Sequence, residues 1–245
     1  MPKPRLRDTW LLRKAEAITF AISYVAITAI WFAFGWLLTN PLKDSWIVRT
    51  DESVADWFVE ERTPLLNSLS FIGSMLSETV VKVVVTAIVA VVMLKVWKRW
   101  LEALVVCISL ILEALCFITI TTLVGRPRPD VERLDTSPVG SSYPSGHTAA
   151  AVAYSAIIVV IFWHTRSRWI RAIAVALGVF VPICVGLARA YRGMHFVTDV
   201  VFGALLGGVS VIVTVVVFRR AAERHEVELR LDGEARAPAI DFANS

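Results

Sequence analysis

The stretch PSGHTAAAVAYSAIIVVIFW, residues 144–163, places a polar turn directly before an apolar segment. A second polar group, Arg189-x5-His195-x3-Asp199, lies between two further apolar segments, and the run GRPRP at 125–129 adds two arginines. Histidines and arginines at the ends of apolar helices have no packing role that would explain them. We therefore predict that these groups converge on an oxyanion, and phosphate chemistry at a membrane surface is the natural interpretation.

The composition indicates a membrane protein. Hydrophobic residues make up 56% of the 245-residue chain, and the mean hydropathy is strongly positive. A soluble domain of this composition would expose large apolar patches. Six apolar segments approach the roughly 17–25 residues that a helix needs to cross a bilayer, namely 18–38, 79–94, 100–120, 148–163, 170–187 and 200–218. We predict an all-α fold, a six-span transmembrane helical bundle with an outward-facing active site.

Basic clusters indicate the orientation of this bundle. They precede the first segment and follow the second, fourth and sixth. The positive-inside rule makes that side cytoplasmic, which predicts an inner (plasma) membrane protein with both termini in the cytoplasm and the polar motifs outside. The basic residues of the turns account for the net charge of +4, so no nucleic-acid partner is expected. The predicted divisions are a cytoplasmic segment (1–16), a membrane domain (17–218) and a mobile cytoplasmic tail (219–245).

Two local patterns refine this picture. Residues 51–75 carry apolar side chains among acids and predict one amphipathic helix on the outer interface. Gly203-x3-Gly207 in the last segment predicts a notch for close helix packing. The three cysteines lie within predicted spans, and we assign no disulfide.

The histidines at 147 and 195 are the candidate catalytic groups. Asp199 follows His195 by four residues, so on a helix its carboxylate lies beside the imidazole. Such a carboxylate fixes the tautomer and raises the basicity of the other ring nitrogen. We therefore predict His195 as a nucleophile, and a structural, hydrogen-bonded histidine is the alternative.

The other motif residues suit an anion. Exposed amides at a helix start bind oxyanions, Gly146 permits close approach of the backbone, and Ser145 adds a hydroxyl donor. The alternative is an ordinary helix cap. The guanidinium groups of Arg128 and Arg189 suit bidentate phosphate binding, with lipid-headgroup contacts as the alternative.

At these motifs the sequence resembles the type 2 phosphatidic acid phosphatase (PAP2) superfamily, in its bacterial membrane lipid phosphatase branch. The family motifs are Lys-x6-Arg-Pro, Pro-Ser-Gly-His and Ser-Arg-x5-His-x3-Asp. Here they read Thr121-x6-Arg128-Pro129, Pro144-Ser145-Gly146-His147 and Ala188-Arg189-x5-His195-x3-Asp199.

The resemblance implies a role for each matched residue. His195 attacks phosphorus to form a phosphohistidine, Asp199 orients it, and His147 protonates the leaving oxygen. The residues that the resemblance assigns to phosphate binding are Arg128, Ser145, Gly146 and Arg189. It implies no metal and no cofactor.

The first motif departs from the family, because Thr121 replaces its lysine and removes one cation from the phosphate site. Lys82, near the outer end of the second segment, is a candidate to supply that charge. The alternative is that Lys82 pairs with Glu113 of the third segment.

The predicted function is metal-independent hydrolysis of a phosphate monoester or prenyl diphosphate on a membrane lipid. Prenyl diphosphates such as undecaprenyl diphosphate, phosphatidic acid and phosphatidylglycerol phosphate all fit. The alternatives are a lipid phosphotransferase that uses the same intermediate, a non-catalytic lipid-binding or transport protein, and a haloperoxidase, whose soluble substrates suit a membrane bundle poorly. The expected partners are the lipid substrate and the bilayer, and the sequence does not determine the oligomeric state.

Overall fold

The computed structural model describes residues 13–76, 78–97, 100–136 and 140–235. Within these residues the regular elements are all α-helices, which confirms the predicted class. They are α1 (Lys14–Thr39), α2 (Trp46–Glu60), α3 (Pro64–Met75), α4 (Thr79–Trp97), α5 (Trp100–Val124), α6 (Gly146–Ala153), α7 (Ala156–His164), α8 (Arg168–Tyr191) and α9 (Val197–Ala235).

Five stretches of the described chain are long and apolar enough to cross a membrane. They are Lys14–Thr39, Trp100–Val124, Gly146–His164, Arg168–Tyr191 and Val197–Glu228. A sixth crossing arises only if α3 and α4 are counted together, and these two helices are bent by 51°. The predicted second span is thus α4, one part of a bent helix pair whose geometry fits either a broken span or a re-entrant loop. The predicted fourth span consists of α6 and α7, which a turn at Tyr154 and Ser155 separates.

The expected single amphipathic helix at 51–75 is two helices in the structure. The break falls before Pro64, whose ring removes a backbone donor and disfavours helical geometry in the residue before it. Thr63 then caps α3 by accepting a hydrogen bond from the Leu66 amide at 3.2 Å.

In the predicted tail at 219–245, the described residues are helical, because α9 continues to Ala235. Two ion pairs hold this extension against the start of α1. Arg224 donates to Glu16 at 2.7 Å, and Arg13 pairs with Glu228. Residues 236–245 of the predicted tail lie outside the described residues.

One end of the bundle, here called the basic end, gathers the start of α1 with the predicted basic turns. Side chains near the ends of four helices pack into one cluster there: Phe20, Leu101, Trp163 and Phe218. Those helix ends flank basic residues of the described chain, among them Lys95, Arg166 and Arg219. The polar motifs occupy the opposite end, here called the motif end.

Two glycines allow α9 to lie directly against α6. A Cβ atom at Gly203 would lie 2.4 Å from the carbonyl oxygen of Ser145, and one at Gly207 would lie 2.2 Å from that of Ala149. Both separations are far below van der Waals contact, which confirms the predicted packing notch.

Gly207→Ala is expected to lower the free energy of unfolding by about 1–3 kcal/mol, because the added methyl group forces α9 away from α6. Gly208→Ala is the matched control, since a Cβ atom there meets only Val152 at 4.0 Å. Thermal unfolding of both variants in one detergent measures the difference. Equal midpoints would contradict this account of the notch.

Candidate active site

A cavity of about 330 Å³ at the motif end brings the predicted segments together. Its ionisable wall residues are Glu78, Lys82, Arg128, Asp135, His147, Arg189 and His195. Gly146 also lines it, and the apolar part of the wall contains Phe71, Met75 and Phe117. Arginines and histidines that are far apart in the sequence therefore share one small, partly apolar chamber.

Three predicted site residues do not line this cavity. The Ser145 hydroxyl shares a hydrogen bond of 3.0 Å with Thr148, and the Ser145 amide donates to the Asp199 carbonyl at 2.9 Å. Thr121 is buried in α5, where its hydroxyl has no hydrogen-bond partner among the described residues. Asp199 is completely buried. The Ser145 amide therefore joins the start of α6 to α9. The Ser145 hydroxyl, which was expected to donate to the anion, bonds Thr148.

The surroundings of His195 determine its tautomer. Nδ1 lies 2.7 Å from the carbonyl oxygen of Ser142, and a carbonyl can only accept, so Nδ1 carries the proton. Burial lowers the pKa of His195 well below its ordinary value, and the charges of Arg189 and Arg128 lower it further. The ring is therefore neutral, and its lone pair is on Nε2.

Asp199 does not contact the ring that it was expected to orient. In the described part of the chain no hydrogen bond joins Asp199 to His195. The carboxylate instead accepts from Arg126 Nη1 at 2.6 Å and from the Phe196 amide at 2.9 Å. The second bond closes the turn after His195, so Asp199 acts on the histidine through the backbone.

Arg126 joins Asp199 to a second buried carboxylate, Asp51 of α2. Its Nη2 donates to Asp51 at 2.9 Å, and Asp51 also accepts from the Thr198 amide at 3.1 Å. The sequence analysis missed Asp51 as a site residue. The available signal was its position on the buried face of α2, three residues after Val48 and four before Ala55.

Arg189 retains hydrogen-bonding capacity toward an anion. Its side chain is buried, and Nη1 donates to Ser74 at 2.8 Å and to Asp135 at 3.0 Å. Its Nε has no partner among the described residues, although it is buried. A buried donor without an acceptor is costly, so an anion in the cavity would be favoured.

Asp135 holds two arginines in place. Burial alone would raise the pKa of its carboxyl group, but two bonds from Arg192, at 2.7 and 2.6 Å, and the charge of Arg189 outweigh burial and lower it. Asp135 is therefore ionised, and it fixes Arg189 at the cavity wall. Sequence reasoning missed Asp135, because nothing local distinguishes it from other loop acids.

Arg128 joins the two motif loops. It donates to the Met194 carbonyl and, at 3.0 Å, to the Ser141 carbonyl. Burial lowers the pKa of this guanidinium from its ordinary value. Gly146 completes the wall, where a Cβ atom would lie 2.7 Å from the Phe117 ring. A larger residue at position 146 would therefore require the Phe117 ring to move.

Lys82 lies one turn inside α4 and lines the same cavity as the two histidines. No ion pair joins it to Glu113 within the described residues, although its charge reaches the buried Glu113 carboxyl, so the alternative in which the two interact stays open. Lys82 lines the cavity and Thr121 does not, so Lys82 is the better placed of the two to supply the cation that the first motif lacks.

A helical membrane bundle with two histidines and two arginines on one cavity defines the class of protein. Residues 102–223 match the family model of the PAP2 superfamily, and the chain belongs to this superfamily of membrane lipid phosphatases.

Among its relatives, phosphatidylglycerophosphatase B of Bacillus subtilis (strain 168) is 27% identical over 179 residues, which cover 72% of this chain and 87% of the relative. The crystal structure of the first transmembrane PAP2 type phosphatidylglycerolphosphate phosphatase from Bacillus subtilis shares the fold, with a TM-score of 0.68 at 23% identity over 76% of this chain and 93% of that one. Aquifex aeolicus LpxE aligns with a TM-score of 0.52 at 25% identity, over 66% and 93%.

Lys82→Ala is expected to weaken binding of orthovanadate, a phosphate analogue, by roughly 10- to 100-fold, the value of one charge-assisted contact. Lys82→Arg should retain most of the affinity. Lys95→Ala, at the other end of α4, is the control for loss of a positive charge. Inhibition constants measured in one detergent compare the three, and equal constants would remove Lys82 from the phosphate site.

Proposed function

We propose that this protein hydrolyses a phosphate ester or diphosphate of a membrane lipid through a phosphohistidine at His195. The observation that carries the proposal is a neutral His195 in one cavity with Arg128 and Arg189. A nucleophile needs a free lone pair, and a phosphoryl group needs fixed positive charges around its oxygens. The cavity supplies both.

The proposed reaction has two steps. In the first, Nε2 of His195 attacks phosphorus, the bond from phosphorus to the leaving oxygen breaks, and His147 gives that oxygen its proton. In the second, His147 takes a proton from water, and the resulting hydroxide attacks the phosphohistidine and releases orthophosphate and free His195. Arg128, Arg189 and Lys82 balance the phosphoryl charge in both steps.

A lipid substrate is supported by the apolar part of the cavity wall. Phe71, Met75 and Phe117 lie beside the charged groups, which suits a phosphate carried on an apolar chain. The Bacillus subtilis relative is named for phosphatidylglycerophosphate, and we extend that substrate class, a lipid phosphate monoester, to this chain. A prenyl diphosphate remains the alternative substrate.

The proposed orientation places the basic end in the cytoplasm and the cavity on the outer side of the inner membrane. The support is the positive-inside rule, because the basic clusters of the sequence fall in alternate turns between the apolar segments. An outward cavity would act on lipids of the outer leaflet.

His195→Ala is expected to abolish turnover of every substrate, because no covalent intermediate can form. His147→Ala should be selective: an alkoxide is a strong base and needs the proton, whereas nitrophenolate needs it less. In kcat/KM, which reports only the first step, we expect a loss of about 10²- to 10⁴-fold on phosphatidic acid and a much smaller loss on nitrophenyl phosphate. Phosphate release in detergent, with a chelator present, measures both. Equal losses would contradict the general-acid role.

The same assay separates the alternatives. A product that forms only when an acceptor alcohol is added would identify a phosphotransferase. Absence of phosphate release across lipid monoesters and diphosphates would favour a lipid-binding or transport protein. Activity that requires added metal and fails with the chelator would contradict the metal-independent route.

The orientation is tested by cysteines introduced at Arg133 and Arg168. We expect an impermeant thiol reagent to label the first from outside intact cells and not the second, because they lie at opposite ends of the bundle. The three native cysteines lie in helices and serve as the background. Labelling at position 168 alone would reverse the orientation.

A further inference from the structure

Glu78, an acidic residue of the cavity that is not part of the family motifs, faces His147, the proposed general acid. Glu78 lies between α3 and α4, and its Oε2 is 3.4 Å from Nε2 of His147. This distance is at the long end of a hydrogen bond, as is common in a catalytic site without substrate. The Glu78 side chain is 53% exposed, so it lies at the mouth of the cavity with access to water.

The bend between α3 and α4 aims this residue at the site. The Lys82 amide donates to the Glu78 carbonyl at 2.8 Å, so the two residues lie one helical turn apart on the same side. The same turn therefore presents a cation and an anion to the cavity. Lys82 suits the phosphate, whereas Glu78 contacts His147.

The other charges around His147 oppose its protonation. The titratable and charged groups that share the cavity with it are Glu78, Lys82, Arg128, Asp135, Arg189 and His195. Three of these are cations, and Asp135 is bound to Arg192 and Arg189. Among the described residues, Glu78 is the acid that contacts the ring.

We propose that Glu78 is a positioning residue that stabilises the protonated form of His147 and fixes its ring for donation to the leaving oxygen. The proposal rests on the function proposed above, in which His147 is the general acid. A carboxylate beside an imidazole favours the charged, proton-donating form and fixes the ring orientation. The imidazolium carries a proton on both ring nitrogens, so it can bond Glu78 through Nε2 and still have a second proton to give; without Glu78, the surrounding cations would disfavour this form further.

Glu78→Gln is therefore expected to reduce kcat/KM on phosphatidic acid roughly 10- to 100-fold, the value of one hydrogen bond between charged groups. The value of kcat/KM on nitrophenyl phosphate should change less, because its leaving group depends less on the proton. The alkaline limb of the pH profile on phosphatidic acid should move to lower pH. Glu78→Asp should recover part of the loss, and Glu60→Gln, an exposed acid of α2 outside the cavity, is the matched control.

A double-mutant cycle with His147→Ala tests whether the effect of Glu78→Gln depends on His147. If Glu78 acts through His147, the Glu78→Gln/His147→Ala variant should have the same activity as His147→Ala alone. Orthovanadate inhibition should stay unchanged in Glu78→Gln. Additive losses, or a tighter vanadate constant, would overturn the proposal and show that Glu78 acts on the phosphate charge.

The remaining outcomes separate the two proposals. Wild-type protein that releases no phosphate overturns both. Active wild type with an unaffected Glu78→Gln variant, or with equal losses on both substrates, overturns the role of Glu78 alone. Size-exclusion profiles and thermal midpoints in detergent equal to those of wild type establish that each variant is folded.

Discussion

The burial of Arg126 between two carboxylates is the constraint on which the motif end depends. A guanidinium in an apolar bundle is tolerated only if its charge is paired and its donors are satisfied. Asp199 of α9 and Asp51 of α2 meet that requirement from opposite sides. The arginine thereby joins three segments of chain. Phe196, which follows His195, packs its ring against the Arg126 guanidinium and donates its amide to Asp199, so the position of His195, the proposed nucleophile, follows from this pairing.

The backbone reinforces the same arrangement. The Ser145 amide donates to the Asp199 carbonyl, which links the Pro-Ser-Gly-His turn to the start of α9. This bond is possible because Gly203 lets the two backbones approach without a side chain between them. Close packing of small residues is the usual means by which membrane helices associate, because lipid provides no hydrophobic driving force between them. Here the same packing brings His147 and His195 to one cavity.

The charges of the cavity are balanced differently from those around Arg126, where one arginine meets the two carboxylates of Asp51 and Asp199. Arg126 forms ion pairs with two carboxylates and donates to Thr198, whereas Arg189 keeps a buried Nε without an acceptor among the described residues, and Lys82 adds a further cation to the wall. Asp135 restrains Arg189 through Nη1 and leaves that Nε available. The two arginines thus differ in their partners, and the one at the cavity has a donor that the proposed phosphate could satisfy.

The sequence by itself determined the helical membrane class, the apolar segments and the motif residues that meet at the cavity, because hydrophobic length, basic turns and motif spacing are local properties. Only the tertiary structure decided that Ser142, and not Asp199, binds the His195 ring. It likewise placed Lys82 and Glu78 at the cavity and turned the Ser145 hydroxyl away from it. Such contacts join residues 50 or more positions apart in several cases, as from Glu78 to His147, and they depend on helix bends and close approaches that no local pattern encodes. The helix break before Pro64 and the burial of Asp51 were not predicted, but they could have been, because their local signals were present in the sequence.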